Sequence, residues 1–194
     1  MKLLILACSL NPDSRSTALA RRLADLAVAE PPPAVVGAEA SLLDVELFDL
    51  RDRPLPICDG AQAYSDPNAA ALAAAGSAAD AVLVTTPVYN YDANAAAKNA
   101  IELAGRTWSH KPVGFACAAG GKSSYMSVMG LANSLMLDFR CHIIPRFVYA
   151  IADDFDDANT PLPNLDGRLA DLLTATTRLA LALRLTDQPV PSPA

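Results

Sequence analysis

The sequence predicts a doubly wound α/β fold: a five-stranded parallel sheet in the order 2-1-3-4-5, with helices on both faces. Three observations carry this. Five apolar or alternating segments take turns with five helical ones along the 194 residues. The first, third and fourth of them are apolar throughout, as strands covered on both faces must be. The second alternates in polarity and the fifth contains Pro145, and both are marks of a sheet edge. Such an order opens a crevice beyond the ends of strands one and three, where ligands collect in open α/β sheets.

Lys2–Cys8 is the first strand, and the turn-rich Ser9-Leu-Asn-Pro-Asp-Ser14 follows it. Leu19, Leu23 and Leu26 recur at helical spacing, so a helix is expected over Arg15–Ala29, ended by Pro31-Pro-Pro33. Leu42–Asp49 alternates, with Leu43, Val45 and Leu47 set against a wetter Asp44, Glu46 and Phe48. Arg51–Asp66 is a long loop broken by Pro54, Pro56 and Gly60, and the alanine-rich Pro67–Ala79 is the second helix. The third strand starts at Ala81–Val84. Pro87 is expected to stop it, because proline has no N–H for a ladder and holds Thr86 extended. Asp92 is the expected N-cap of a helix of good formers over Ala95–Leu103.

Pro112–Ala119 is the fourth strand and runs into Gly120-Gly121. An uninterrupted helix is expected over Lys122–Asp138, with Gly130 costing it about 1 kcal/mol relative to alanine. Cys141–Tyr149 is the fifth strand, and Ala152–Pro163 is an acidic loop. Asn164 is placed to cap a final helix through Leu169, Leu172, Leu173, Leu179 and Leu183, and Gln188–Ala194 is a proline-rich tail. The chain reads as one domain over 1–187 followed by that tail.

Composition removes several function classes. The formal charge of −6, with no basic patch, opposes a surface that tracks nucleic-acid phosphates. No apolar run reaches the length of a membrane span, and the run at Leu3–Ala7 is too short for a signal peptide. Cys8, Cys58, Cys117 and Cys141 lack any Cys-x-x-Cys spacing, and His110 and His142 stand alone, so neither a disulfide scaffold nor a metal site is indicated. The expected setting is a reducing cytoplasm. Trp108 and Cys117 read as packing residues.

Three segments carry chemistry. The loop after strand one offers the hydroxyls of Ser9, Ser14, Ser16 and Thr17, the fork of Arg15 and a helix N-terminus. Hydroxyls, free amides and a positive helix end are what a phosphate needs. Neither Gly-x-Gly-x-x-Gly nor a Walker lysine is present, so the dinucleotide and P-loop patterns are excluded. After strand three comes an elbow, Pro87-Val88-Tyr89-Asn90, with an aromatic ring at the crevice. After strand four, Ala119, Gly120, Gly121 and Lys122 combine small residues, which let a ligand approach the backbone, with a cation at a helix start. Alone, the first would be only a helix cap and the third only a helix-entry turn; their positions after consecutive central strands argue for a site.

Thr86-Pro-Val-Tyr-Asn90 followed by Lys98-Asn-Ala-Ile-Glu102 resembles the Thr-Pro-x-Tyr-Asn … Lys-Asn-Ala-Ile-Asp signature of the NAD(P)H-dependent FMN reductases of flavodoxin-like fold. The first loop resembles the Gly-Ser-x-x-x-x-Ser-Arg-Ser phosphate loop of those serving two-component sulfonate monooxygenases, with Cys8 standing where that pattern has glycine. The resemblance implies FMN as cofactor, with NADPH or NADH as hydride donor. It places the isoalloxazine on the backbone of Pro87–Asn90, with Ala119–Lys122 at its pyrimidine edge. The flavin carries that chemistry, so no catalytic side chain is expected. The resemblance also implies a flavin-dependent monooxygenase, a quinone, an azo dye or a metal ion as acceptor. It further implies a homodimer or homotetramer, with the small residues Ala95, Ala96, Ala97 and Ala100 of the elbow helix as the contact. An unbulged helix after Gly121 would favour permanently held FMN over a flavin released each turnover. Three alternatives stand beside this: a quinone or azo reductase, a non-enzymatic electron carrier, and a fold that has lost its flavin and serves only as an interaction domain.

Overall fold

The computed structural model describes residues 1–29 and 43–186. Strand β1 (Lys2–Ala7) lies between β2 (Asp44–Asp49) and β3 (Ala81–Tyr89), parallel to both. Strand β3 continues the sheet to β5 (Pro112–Ala118), in a register running from Val82 opposite Val113 to Pro87 opposite Ala118. A two-residue β4 (Asp92–Ala93) folds back on the end of β3 as a hairpin. The last strand is split around Pro145 into β6 (His142–Ile143) and β7 (Val148–Ala150), both parallel to β5. The sheet therefore has the flavodoxin-like order, with β4 as an appendage.

Alternation along β1 builds two cores. Leu4, Leu6 and Cys8 face α2 (Pro67–Ala78), α3 (Ala95–Ala104) and α4 (Met129–Phe139). Leu3, Ile5 and Ala7 face α1 (Arg15–Ala29) and α5 (Pro163–Thr186), through Leu19, Leu23, Leu169 and Leu172. Each leucine fully buried this way contributes about 1.5–3 kcal/mol over leaving it in water. Among the described residues no helix is long and apolar enough to cross a membrane.

Several expectations are corrected. Pro87 does not stop β3, which runs two residues further. Thr85 spends its carbonyl on Cys8 of the β1 side. Pro87 has the same parity, and β1 has already ended there, so its missing N–H leaves no ladder bond unmade. Phe48 is not on a wet face but fully buried against the α2 side. The single helix expected over Lys122–Asp138 is instead a 3₁₀ turn at Lys122–Ser124, further turns, and then α4. The Tyr149 hydroxyl donates to Gly121 O (2.6 Å) and accepts from Ser124 N (3.2 Å), which holds this segment out of a helical path. Asn164 does not cap α5, because Pro163 takes the first helical position and the Asn164 side chain bonds Asp154 instead. Trp108 is fully buried, while His110 and His142 are exposed. The Pro31-Pro-Pro33 stop and the 188–194 tail lie outside the described residues.

One polar clamp ties β2 to the loop after β1. Arg51 Nε donates to both oxygens of Asp49 (3.0 and 3.1 Å), and its Nη1 donates to Pro12 O (2.9 Å). Burial alone would raise the Asp49 pKa, but the bonds from Arg51 outweigh it and hold the carboxyl below its ordinary value. A carboxyl so held contributes stability that is complete above its unfolded pKa of about 3.9 and is lost as pH falls through the lower folded value. Asp49→Asn should therefore destabilise the fold by roughly 1.5–3 kcal/mol near neutrality. In urea titrations at several pH values, the gap to wild type should close below that window. A gap that stays constant down to the acid limit would contradict the assignment.

Candidate functional site

The three sequence segments meet at the C-terminal ends of β1, β3 and β5. A cavity of about 310 Å³ is walled by Ser9 and residues 13–16 on one side and Ala118–Gly120 on the other, with Pro87–Tyr89 between them. A second cavity of about 370 Å³ shares Val88, Ala119 and Gly120 with it and extends past Asn90, Gly121 and Ser124. Together they form one crevice at the place the strand order predicts. Thr17 and Lys122 line neither part; Lys122 is exposed, and Thr17 is buried, its Oγ1 meeting no described partner.

At the phosphate-like end, Ser14 caps α1. Its Oγ accepts from Thr17 N (3.2 Å) and shares a hydrogen bond with Ser16 Oγ (3.0 Å). Ser9 Oγ accepts from Asn11 N (3.2 Å), and Asp13 N donates to the Asn11 side chain (3.0 Å), so the loop is braced from within. No described residue accepts from the amides of Arg15 or Ser16, which stand in the first turn, at the positive end, of a 15-residue helix. Arg15 Nε donates to Asn159 Oδ1 (2.7 Å), while its Nη nitrogens meet no described acceptor. Asn159 itself lines the crevice from the acidic loop, at a left-handed φ of 60°.

The elbow is a two-residue hairpin. Asn90 and Tyr91 both have positive φ (52° and 64°), the pattern of a type I′ turn, and Tyr89 faces Asp92 across it. Asp92 is therefore a strand residue, and the cap of α3 is Asn94. Asn94 is only 7% exposed, and its side chain makes three hydrogen bonds. Its Oδ1 accepts from Ala97 N (3.2 Å) and from Thr86 Oγ1 (3.0 Å). Its Nδ2 donates to Cys8 O (2.8 Å), and its backbone N–H to Pro87 O (3.2 Å). One side chain thus fixes the ends of β1 and β3 and the start of α3.

On the opposite wall, Gly121 is extended, and a Cβ built on Gly120 or Gly121 meets nothing within 4 Å. Neither backbone conformation nor protein packing demands glycine there; the space a side chain would fill is the crevice itself. A wall without side chains leaves room for a flat ligand to approach the backbone, so these residues fit the flavin that the sequence implies. The Gly120 and Gly121 amides also meet no described acceptor. Cys8, standing where the resembled pattern has glycine, points into the core and leaves the loop entry undisturbed. Burial, with Asp49 second, pushes its thiol well above the ordinary range, so it is no nucleophile.

Sequence reasoning missed Asn94, Asn159 and Tyr149. Asn94 carried a readable signal: it stands immediately before the run of good helix formers that starts at Ala95, two places after Asp92. Asn159 and Tyr149 act across more than 25 residues of sequence and had no local signature.

The sequence profile described as NADPH-dependent FMN reductase matches residues 1–156. An NAD(P)H-dependent FAD/FMN reductase of Geobacillus thermodenitrificans (strain NG80-2) is 28% identical over 134 residues, 67% of this chain and 72% of its own length. An NADPH azoreductase of Bacillus sp. (strain OY1-2) is 29% identical over 111 residues, 56% and 62% of the two chains. Among solved structures, the flavoenzyme NAD(P)H:(acceptor) oxidoreductase of Paracoccus denitrificans superposes with a TM-score of 0.70 at 22% identity, covering 93% of this chain and 97% of that one.

Asn94→Ala should remove a helix cap, about 1 kcal/mol, and leave the buried Cys8 carbonyl unpaired, about 1–3 kcal/mol more. The expected loss is roughly 2–4 kcal/mol by chemical denaturation, and Asn94→Asp should recover only the capping part. A loss below about 1 kcal/mol for the alanine variant would show that the elbow is held by something else.

Proposed function

This chain belongs to the NADPH-dependent FMN reductase family, and on that premise we propose that the crevice holds one FMN with its phosphate on the α1 N-terminus. When bound, FMN supplies the redox chemistry, taking a hydride from the nicotinamide C4 at its N5 and passing two electrons onward. The single observation that carries the placement is the convergence of three separated segments on one crevice, with a charged, hydroxyl-rich end and a glycine-walled end.

The protein's part is to bind and orient. The open amides of Arg15 and Ser16, the hydroxyls of Ser9, Ser14 and Ser16, and the free fork of Arg15 receive a dianionic phosphate. The backbone of Pro87–Asn90, Ala119 and the amides of Gly120 and Gly121 would hold the ring. Tyr89 and Tyr91, 52% and 70% exposed, border the face left open to the donor. Thr17 and Lys122 act outside this contact shell. The uninterrupted helix that would have argued for permanently held flavin is absent, so retention turns on the phosphate contacts. Membership in a reductase family sets the electron-carrier and flavin-free readings aside.

Electrons leave for a small acceptor of the quinone or azo type, as the similarity to an azoreductase suggests, or for a flavin-dependent monooxygenase. A panel of such acceptors with NADPH and NADH separates these. A reducing cytoplasm suits the four cysteines, none of which is disulfide-bonded. We also infer a homodimer or homotetramer. Of the α3 alanines, Ala97 and Ala100 are fully buried in the monomer, which leaves only the exposed Ala95 and half-buried Ala96 of that helix to meet a partner. The support for assembly is the exposed apolar run of Met126, Met129, Met136 and Leu137 on and before α4, next to the Ser123–Ser124 wall of the crevice.

Two measurements check this reading. FMN should bind far more tightly than riboflavin, and Arg15→Ala should weaken FMN by roughly 1.5–3 kcal/mol while leaving riboflavin unchanged. Equal affinities for the two flavins would sink the phosphate assignment. Light scattering at micromolar concentration should give at least a dimer mass, reduced by Leu137→Glu. A fully active wild-type monomer would refute the assembly.

A further inference from the structure

A cavity of about 490 Å³ lies between α5 and the start of β7, apart from the crevice. Its lining includes Arg146, Arg168 and Arg178 against one carboxylate, Asp171, in a chain whose formal charge is −6. Concentrating cations in an acidic protein is costly unless something anionic joins them. Arg168 is anchored: its Nη2 donates to Tyr149 O (2.5 Å), and its Nη1 lies 3.9 Å from Asp154 Oδ2. Arg146 and Arg178 are exposed and meet no described partner. Beside them Tyr125 stacks on Phe147, with ring centroids 4.7 Å apart and planes at 26°. Tyr125 remains 47% exposed, so its outer face is available to a planar ring.

The same wall serves both sites. The Tyr125 ring meets the edge of Tyr149 at 5.5 Å, and the Tyr149 hydroxyl holds Gly121, which lines the crevice. A larger cavity beside α1, about 610 Å³, is a poorer anion site. Its Arg21, Arg22 and Arg51 are matched by Asp13, Asp25 and Asp166, with Arg22 and Asp166 in a 2.6 Å ion pair.

We propose that the cavity beside β7 receives the phosphorylated adenosine end of the reduced nicotinamide donor: adenine on Tyr125, and the 2′-phosphate on Arg146 and Arg178. The assignment rests on the reductase reading and adds to it a residue-level basis for preferring NADPH over NADH. Arginine suits the task because its planar fork grips phosphate by two N–H groups, and a 2′-phosphate is the only group that distinguishes the two donors.

The test uses the full-length, FMN-loaded protein and the Arg146→Ala/Arg178→Ala variant. By titration calorimetry, adenosine 2′,5′-bisphosphate should bind wild type more tightly than adenosine 5′-monophosphate, and the variant should lose at least about tenfold of that affinity. The KM for NADPH should rise by a similar factor, with kcat, the KM for NADH and the bound-flavin spectrum unchanged. Arg178→Ala alone should move both readouts in the same direction by less. Unchanged bisphosphate affinity in the double variant would overturn the proposal. So would a lost bisphosphate affinity with an unmoved NADPH KM, which would make this a separate nucleotide site. Failure of wild type to bind FMN would instead strike the reductase reading itself.

Discussion

The mutual placement of the phosphate-like loop and the elbow depends on Asn94. Strands β1 and β3 end side by side because the sheet register demands it, but nothing in a sheet fixes the path of the chain beyond a strand end. A buried primary amide does so here, because it can donate and accept at once. Its oxygen starts α3 and holds Thr86; its nitrogen holds the Cys8 carbonyl from which the phosphate-like loop departs. The loop and the elbow are therefore positioned against each other by one residue. A carboxylate there could accept but not donate, and an alanine could do neither.

The second constraint is electrostatic and works at longer range. The loop after β1 is braced internally by Ser9 and Asn11, and from outside by Arg51 through Pro12. Arg51 is itself held by Asp49. Arg15 is steered by Asn159 and lies over the Phe155 ring at 5.6 Å. Arg51 is thus oriented by a carboxylate behind it and Arg15 by a neutral amide, and the amides of α1 remain open to a ligand. That is preorganisation: the ordering cost is met in folding rather than on binding.

The strand order, the two-faced core and the convergence of the three candidate segments were legible in the sequence because they depend on polarity pattern and on the residue types at each strand's end. Leu3–Ala7 could be read as doubly covered since both parities are apolar. What was not legible depended on partners distant in sequence. The break after Gly121 is imposed by Tyr149, from a different strand, so no local propensity announces it. Pro87 looked like a terminator because its tolerance depends on where β1 stops. Phe48 looked solvent-facing because it shares its phase with Asp44 and Glu46; it is buried in the core on the α2 side, while Leu43, Val45 and Leu47 pack on the core of the opposite face.

The placement of a flavin phosphate on the α1 N-terminus and its ring between the elbow and Gly120 is read most directly by ¹⁵N-resolved amide shifts during titration. With FMN, the amides of Arg15 and Ser16 should move together with those of Gly120 and Gly121. With riboflavin, which lacks the phosphate, only the glycine pair should move. Shifts that spare Arg15 and Ser16 under FMN, or that are identical for the two ligands, would contradict the account.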